Sequence, residues 1–183
     1  MSIKFILRRP VNFFLPAFTL IELLVVISII ALLASMSIVA VNQVRHQTTD
    51  AQRLVDMQKI ETALELYYDK YGKYPDGQPN GCGNWNVGNQ TLPFLQGALP
   101  GIMDSPPVDP VKTGSCYGYR YYHYVPDNPT VGVEGCPPGK SFYVLGITDL
   151  YTSNGPYPQS PGWSCPNRNW QDEMEWVTGK FEN

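Results

Sequence analysis

A chain of 183 residues with 13 Lys and Arg against 16 Asp and Glu carries a net charge of −3, a weak acidity that argues against nucleic acid as its main partner. The length suits one modest globular domain on a stalk. Its two histidines, His46 and His123, stand far apart without a Gly-x-Ser-x-Gly or Cys-His context, so the chain does not read as an enzyme.

The first segment is a short basic leader, with Lys4, Arg8 and Arg9 and no acidic residue. It runs into "AFTLIELLVVISIIALLASMSIVAV", residues 17–41. From Leu20 to Val41, 14 of 22 residues are Leu, Ile or Val, and the only charge is Glu22. At about 1.5 Å per residue this run is long enough for a hydrocarbon core of about 30 Å. The expectation is a transmembrane helix, with the basic leader holding the N-terminus in the cytoplasm and the bulk of the chain outside. A secretory signal peptide competes, but its apolar region is about 7 to 15 residues and closes on a small-residue cleavage site. A carboxylate in such a run is unfavourable, which makes Glu22 a candidate functional residue.

All 16 glycines fall at or after Gly72, and between Pro16 and Pro75 there is no proline, so residues 17–71 contain neither helix breaker. Beyond residue 41 the pattern turns amphipathic: Ala51, Leu54, Met57, Ile60 or Glu61, Leu64, Tyr67 or Tyr68, and Tyr71 recur at helical steps, with Asp50, Arg53, Asp56, Lys59, Glu65 and Asp69 largely elsewhere. Gly72 suits the residue after a helix end and Pro75 a stop. One helix is therefore expected from Phe18 to Tyr71, apolar over 18–41 and amphipathic over 42–71.

Residues 72–183 read as an extracytoplasmic globular domain rich in Pro and Gly turns. Strands are expected in "SCYGYRYYHYV", in "SFYVLGITDL" and in "EMEWVTG". A small antiparallel sheet must bury one face, and the amphipathic half of the helix is its available cover, an α+β arrangement. Cys82, Cys116, Cys136 and Cys165 all lie in this exported part, and an even set there reads as two disulfides, in any of three connectivities. Tyr117, Tyr119, Tyr121, Tyr122 and Tyr124 form either an alternating half-core strand or a sugar-stacking surface. Asp104, Asp109, Asp127 and Asp149 are loop carboxylates open to structural calcium, although no spacing reproduces a dedicated calcium loop.

The leader followed by "FTLIELLVVISIIALLA" resembles the class III signal segment of type IV pilins and type II secretion pseudopilins, and "ALELYYDKYGKYP" is similar to the end of the pilin helix and its exit. The resemblance implies a pilin-like fold: a long transmembrane then amphipathic helix packed on a small antiparallel sheet. It implies a leader, residues 1–17, removed between Ala17 and Phe18 by a prepilin peptidase, methylation of the new Phe18 amine, and assembly with other copies into a helical filament. Phe18 and Glu22 then become the assembly residues, and the partners are other copies, the membrane and the inner-membrane pilus or secretion machinery. It also implies residence in a bacterial inner membrane before assembly. Ala17 stands where a glycine is usual in this family. Major pseudopilins bind calcium in a C-terminal loop, which bears on the four Asp. The alternative is a membrane-anchored extracytoplasmic binding or adhesion protein that never polymerises.

Overall fold

A computed structural model of the chain describes residues 18–183, leaving aside the side chains of residues 36–40. The expected leader, residues 1–17, with Ala17 at its end, lies outside the described residues. The chain divides into two compact units, one reaching Asn42 and the other running from Gln43 to Asn183.

Helix α1 spans Leu20–Tyr71, as the absence of Gly and Pro requires. Among the described residues no helix is long and apolar enough to cross a membrane. The expected transmembrane helix over 18–41, and with it the fold as a membrane-spanning one, is corrected accordingly. The apolar stretch of the helix opens at Leu20. Glu22 falls inside that stretch, and past Asn42 come Gln43, Arg45 and His46. The helix ends at Gly72, whose φ of 72° is left-handed and whose N–H donates to the Tyr68 carbonyl at 2.7 Å. That is the turn a glycine takes without a Cβ clash, and it closes an orphan carbonyl of the last turn.

In the second unit, strands β1 (Asn86–Gly88), β2 (Tyr119–Tyr124), β3 (Phe142–Ile147) and β6 (Trp176–Phe181) form one antiparallel sheet in the order β1-β2-β3-β6. A separate two-residue pair, β4 (Ser164–Cys165) and β5 (Arg168–Asn169), makes a small hairpin. Side-chain alternation sends Tyr119, Tyr121, Tyr143, Leu145, Ile147 and Trp176 to one face, where they meet Met57, Ile60, Ala63 and Leu64 of α1. The opposite face carries Tyr124, Phe142, Val144 and Val177, covered by Trp85, Trp170, Met174 and Cys136. Burial on both faces explains why every residue of β3 is buried.

Two disulfides, Cys82–Cys116 and Cys136–Cys165, each join residues whose Cα atoms are 5.1 Å apart. The first ties the turn after the helix exit to the approach of β2. The second fastens the cover of the outer sheet face. At Gly179 of β6 the ring of Trp163 lies where a Cβ would meet it at 2.4 Å, so this strand position admits only glycine beneath the indole.

The helix face agrees with the expected one at Leu54, Met57, Ile60, Leu64, Tyr67 and Tyr68 and departs from it elsewhere. Ala51 and Tyr71 are exposed, whereas Asp50, Arg53 and Asp56 are buried. Asp50, Arg53, Met57, Ile60 and Leu64 make an unbroken series of three- and four-residue steps, and it is this stripe that faces the domain.

Candidate functional site

In the first unit, Glu22 has a local partner. Its Oε2 accepts from the Thr19 backbone N–H at 2.9 Å and from the Thr19 hydroxyl at 2.7 Å, while Thr19 Oγ1 accepts from the Glu22 N–H at 3.3 Å. Thr19 precedes the first helical residue and Glu22 is the third, so the two form a capping box that satisfies orphan donors reciprocally. A carboxylate is also favoured electrostatically by the positive end of the helix. The signal was present in the sequence as Thr-x-x-Glu ahead of an apolar run. Both accepted bonds fall on one oxygen, and a carboxylate has about four acceptor positions. Glu22 therefore keeps capacity for a further donor.

Around this cap the apolar side chains stand open. Phe18 is 84% exposed, and Leu20, Ile21, Leu23 and Leu24 are between 54% and 82% exposed. They occur on every side of the helix, because a run of almost uninterrupted aliphatics has no polar face.

The second unit contains a charged cluster that the expected helix face concealed. Arg53 is fully buried, donating from one terminal nitrogen to Asp50 Oδ1 at 2.8 Å and from the other to Asp109 Oδ1 at 3.0 Å. Asp50 further accepts from the Tyr151 N–H at 3.1 Å and from the Thr152 N–H and hydroxyl at 2.8 Å. Asp109 accepts from the Val111 and Lys112 N–H groups at 2.9 and 3.0 Å. The Tyr151 ring lies 4.9 Å from the Arg53 guanidinium. One turn on, Asp56 accepts from the Tyr119 hydroxyl at 3.0 Å. The planar fork of arginine suits this task, since it reaches two carboxylates on opposite sides. The cluster fastens α1 to the loop 104–112 and to the segment after β3.

The four aspartates offered for calcium stand in different surroundings. Asp109 is spent on Arg53, and Asp149 pairs with Lys112. Asp104 and Asp127 are exposed, and Asp104 accepts from the Gly101 N–H at 3.4 Å. Among the described residues no group of three or more His, Cys, Asp or Glu side chains is placed to hold a metal ion. The carboxylates nearest one another already have the protein's own cations for counter-charge.

The tyrosine row is split by its strand. Tyr119, Tyr121 and Tyr124 are buried, with burial pushing their hydroxyls well above the ordinary phenol range, and Tyr124 reaches about 12. Tyr117 alone of the row is mostly exposed, at 56%, and Tyr122 is half-buried. Alternation thus yields packing rather than a continuous stacking platform. A groove of about 430 Å³ between α1 and β6 is lined by Glu61, Glu65, Thr178 and Lys180. Lys180 is engaged with Glu65 at 2.6 Å, and burial raises the Glu61 carboxyl above its usual range. Set against family models, curated proteins and solved structures, the chain matches none of them.

Proposed function

We propose that this chain is a structural subunit, a pilin or pseudopilin, of a type IV pilus or type II secretion pseudopilus. It is cut between Ala17 and Phe18 by a prepilin peptidase and polymerised through its N-terminal helix. The single observation that carries the reading is "FTLIE" standing at the start of a helix whose aliphatic side chains are exposed on all sides. The second unit has two hydrophobic clusters of its own, whereas the residues after Phe18 have little to bury against in a single chain. Burying one Leu or Ile is worth about 1.5–3 kcal/mol, so packing these helices against those of other copies supplies a large driving force for a filament outside the cytoplasm.

Glu22 sets the axial position in that packing. Cleavage creates an amine at Phe18, and a neighbouring copy can offer it to the carboxylate's unused acceptor positions. In an apolar filament core a wrong register strands both charges. Capping and pairing are separable: Glu22→Gln retains an acceptor for Thr19 but carries no charge, and Glu22→Leu loses both.

Intact-mass analysis of the expressed protein is expected to find a 166-residue chain beginning at a methylated Phe18. Sheared-filament fractions are expected to lack Glu22→Leu and to be poor in Glu22→Gln. A full-length chain in cells with an active peptidase would overturn the reading in favour of a binding protein that does not polymerise. Native filament yield from Glu22→Leu as the only copy would leave the carboxylate with its capping task alone.

A further inference from the structure

His123 lies in β2 with its side chain only 4% exposed, and carboxylates hold both of its ring nitrogens. Nδ1 is 2.8 Å from Asp76 Oδ1, in the segment that leaves α1. Nε2 is 3.1 Å from Glu182 Oε1, just past the end of β6. The same Glu182 oxygen accepts from the Tyr74 N–H at 2.7 Å, so three separate parts of the second unit meet at one imidazole. A neutral ring has one N–H and one lone pair. It can donate to one carboxylate while turning the lone pair on the other, and only the imidazolium donates to both.

We infer that His123 is a pH-sensitive latch: as the imidazolium it ties the segment leaving α1 to the end of β6, and on losing its proton it lets go of one of the two. The groups around it are accounted for by element. From the helix exit come Lys73, 3.7 Å from Asp76, and Tyr74, whose ring stands edge-on with centroids 6.5 Å apart. From β2 itself Tyr121 donates to the Pro75 carbonyl, and from β3 Tyr143 is the register partner of His123. From the turn before β3 Lys140 reaches the Glu182 carbonyl at 3.5 Å. Glu65, bonded to the Tyr74 hydroxyl at 3.0 Å and to Lys180 at 2.6 Å, forms the outer rim.

Among these groups histidine is the one whose charge ordinarily changes between about pH 5 and 8. The phenols of Tyr74, Tyr121 and Tyr143 are pushed up and away from that range by burial. Asp76 is held below the usual carboxylate range, chiefly by its hydrogen bond to His123. A depressed carboxylate contributes stability that is present above its ordinary value and fades as pH falls through the depressed one. The latch is therefore closed while the imidazolium donates to both carboxylates and open once the ring is neutral.

The test uses the full chain. Ring resonances are assigned by comparison with His46→Gln, which leaves His123 as the remaining imidazole. At pH 5.5 both ring N–H protons of His123 are expected in nitrogen-15 spectra, slowed in exchange by their carboxylates. The midpoint of thermal unfolding, followed by tryptophan fluorescence, is expected to fall by about 2–4 °C between pH 5.5 and pH 8, the scale of one ordinary net hydrogen bond in a chain of this size, since the Asp76 side chain is 64% exposed. His123→Gln should remove that fall. Should His123→Gln not fold, Glu182→Gln, which keeps an oxygen for the Tyr74 N–H, is expected to reduce the fall by about half. The inference is overturned by an equal pH dependence in wild type and variant, or by a ring with one protected N–H at pH 5.5.

Discussion

Replacing Arg53 by methionine is the sharpest perturbation of this domain. The substitution roughly keeps the length and volume of the side chain and removes its charge. It leaves Asp50 and Asp109, with side chains 4% and 0% exposed, facing a thioether instead of a guanidinium. Two unit charges 4 Å apart are worth about 4 kcal/mol at an effective dielectric of 20, and removing one partner of a buried pair costs about 3–5 kcal/mol. Both carboxylates keep backbone donors, two for Asp109 and two for Asp50 with the Thr152 hydroxyl in addition. The expected loss is therefore about 3 kcal/mol, at the lower end of that range. Adding Asp109→Asn removes one stranded charge but keeps an acceptor for Val111 and Lys112, and should restore about half of the loss. All four tryptophans lie in the second unit, so urea unfolding followed by fluorescence reads this unit by itself. A loss below about 1 kcal/mol for Arg53→Met would show that water reaches the cluster, and the reasoning would fail.

The disulfides close spans of 34 and 29 residues, and restricting loops of that size in the unfolded chain is worth about 3–4 kcal/mol each. Cys82→Ser with Cys116→Ser, and Cys136→Ser with Cys165→Ser, should each lower unfolding stability by that order, and four freely alkylated thiols in exported native protein would contradict the pairing. Burial raises the phenols of Tyr74, Tyr119, Tyr121, Tyr124 and Tyr143 above the ordinary value. A raised folded value gives stability that is complete below the unfolded value of about 10 and is lost as pH climbs past it. Absorbance at 295 nm should therefore show these five ionising only together with unfolding, and reversible ionisation of all 12 tyrosines in native protein near pH 10 would refute their burial.

Some of this architecture could be read directly. The Gly- and Pro-free stretch marks a helix because either residue in its interior is costly, and Gly72 marks its end because a left-handed turn was needed there. The main strands lie where alternation and β-branched or aromatic residues coincide. The capping box at Thr19 and Glu22 also depends on a spacing of three visible in the sequence, but reading Glu22 as a lone charge in an apolar run passed over it. Leu20 to Val41 led to an expected membrane span because it was judged by local hydropathy alone, whereas among the described residues no helix is long and apolar enough for one.

What tertiary structure alone decided is which helix face turns inward and what each polar group meets. From Met57 onward the expected stripe is the buried one, but ahead of Met57 two series one residue apart both satisfy helical periodicity, and hydrophobicity favoured the one through Ala51 and Leu54. Packing chose the one through Asp50 and Arg53, because Asp109, Tyr151 and Thr152, about 56 to 102 positions away, supply partners that make burial of three charges tolerable. The three-residue β1 and the hairpin β4–β5 carry little propensity, and they form where longer-range pairing and the Cys136–Cys165 bridge hold them. His123 is a lone histidine in sequence. Only the fold brings Asp76 and Glu182 to its two nitrogens, since contacts spanning 47 and 59 residues depend on chain topology and leave no trace in local spacing.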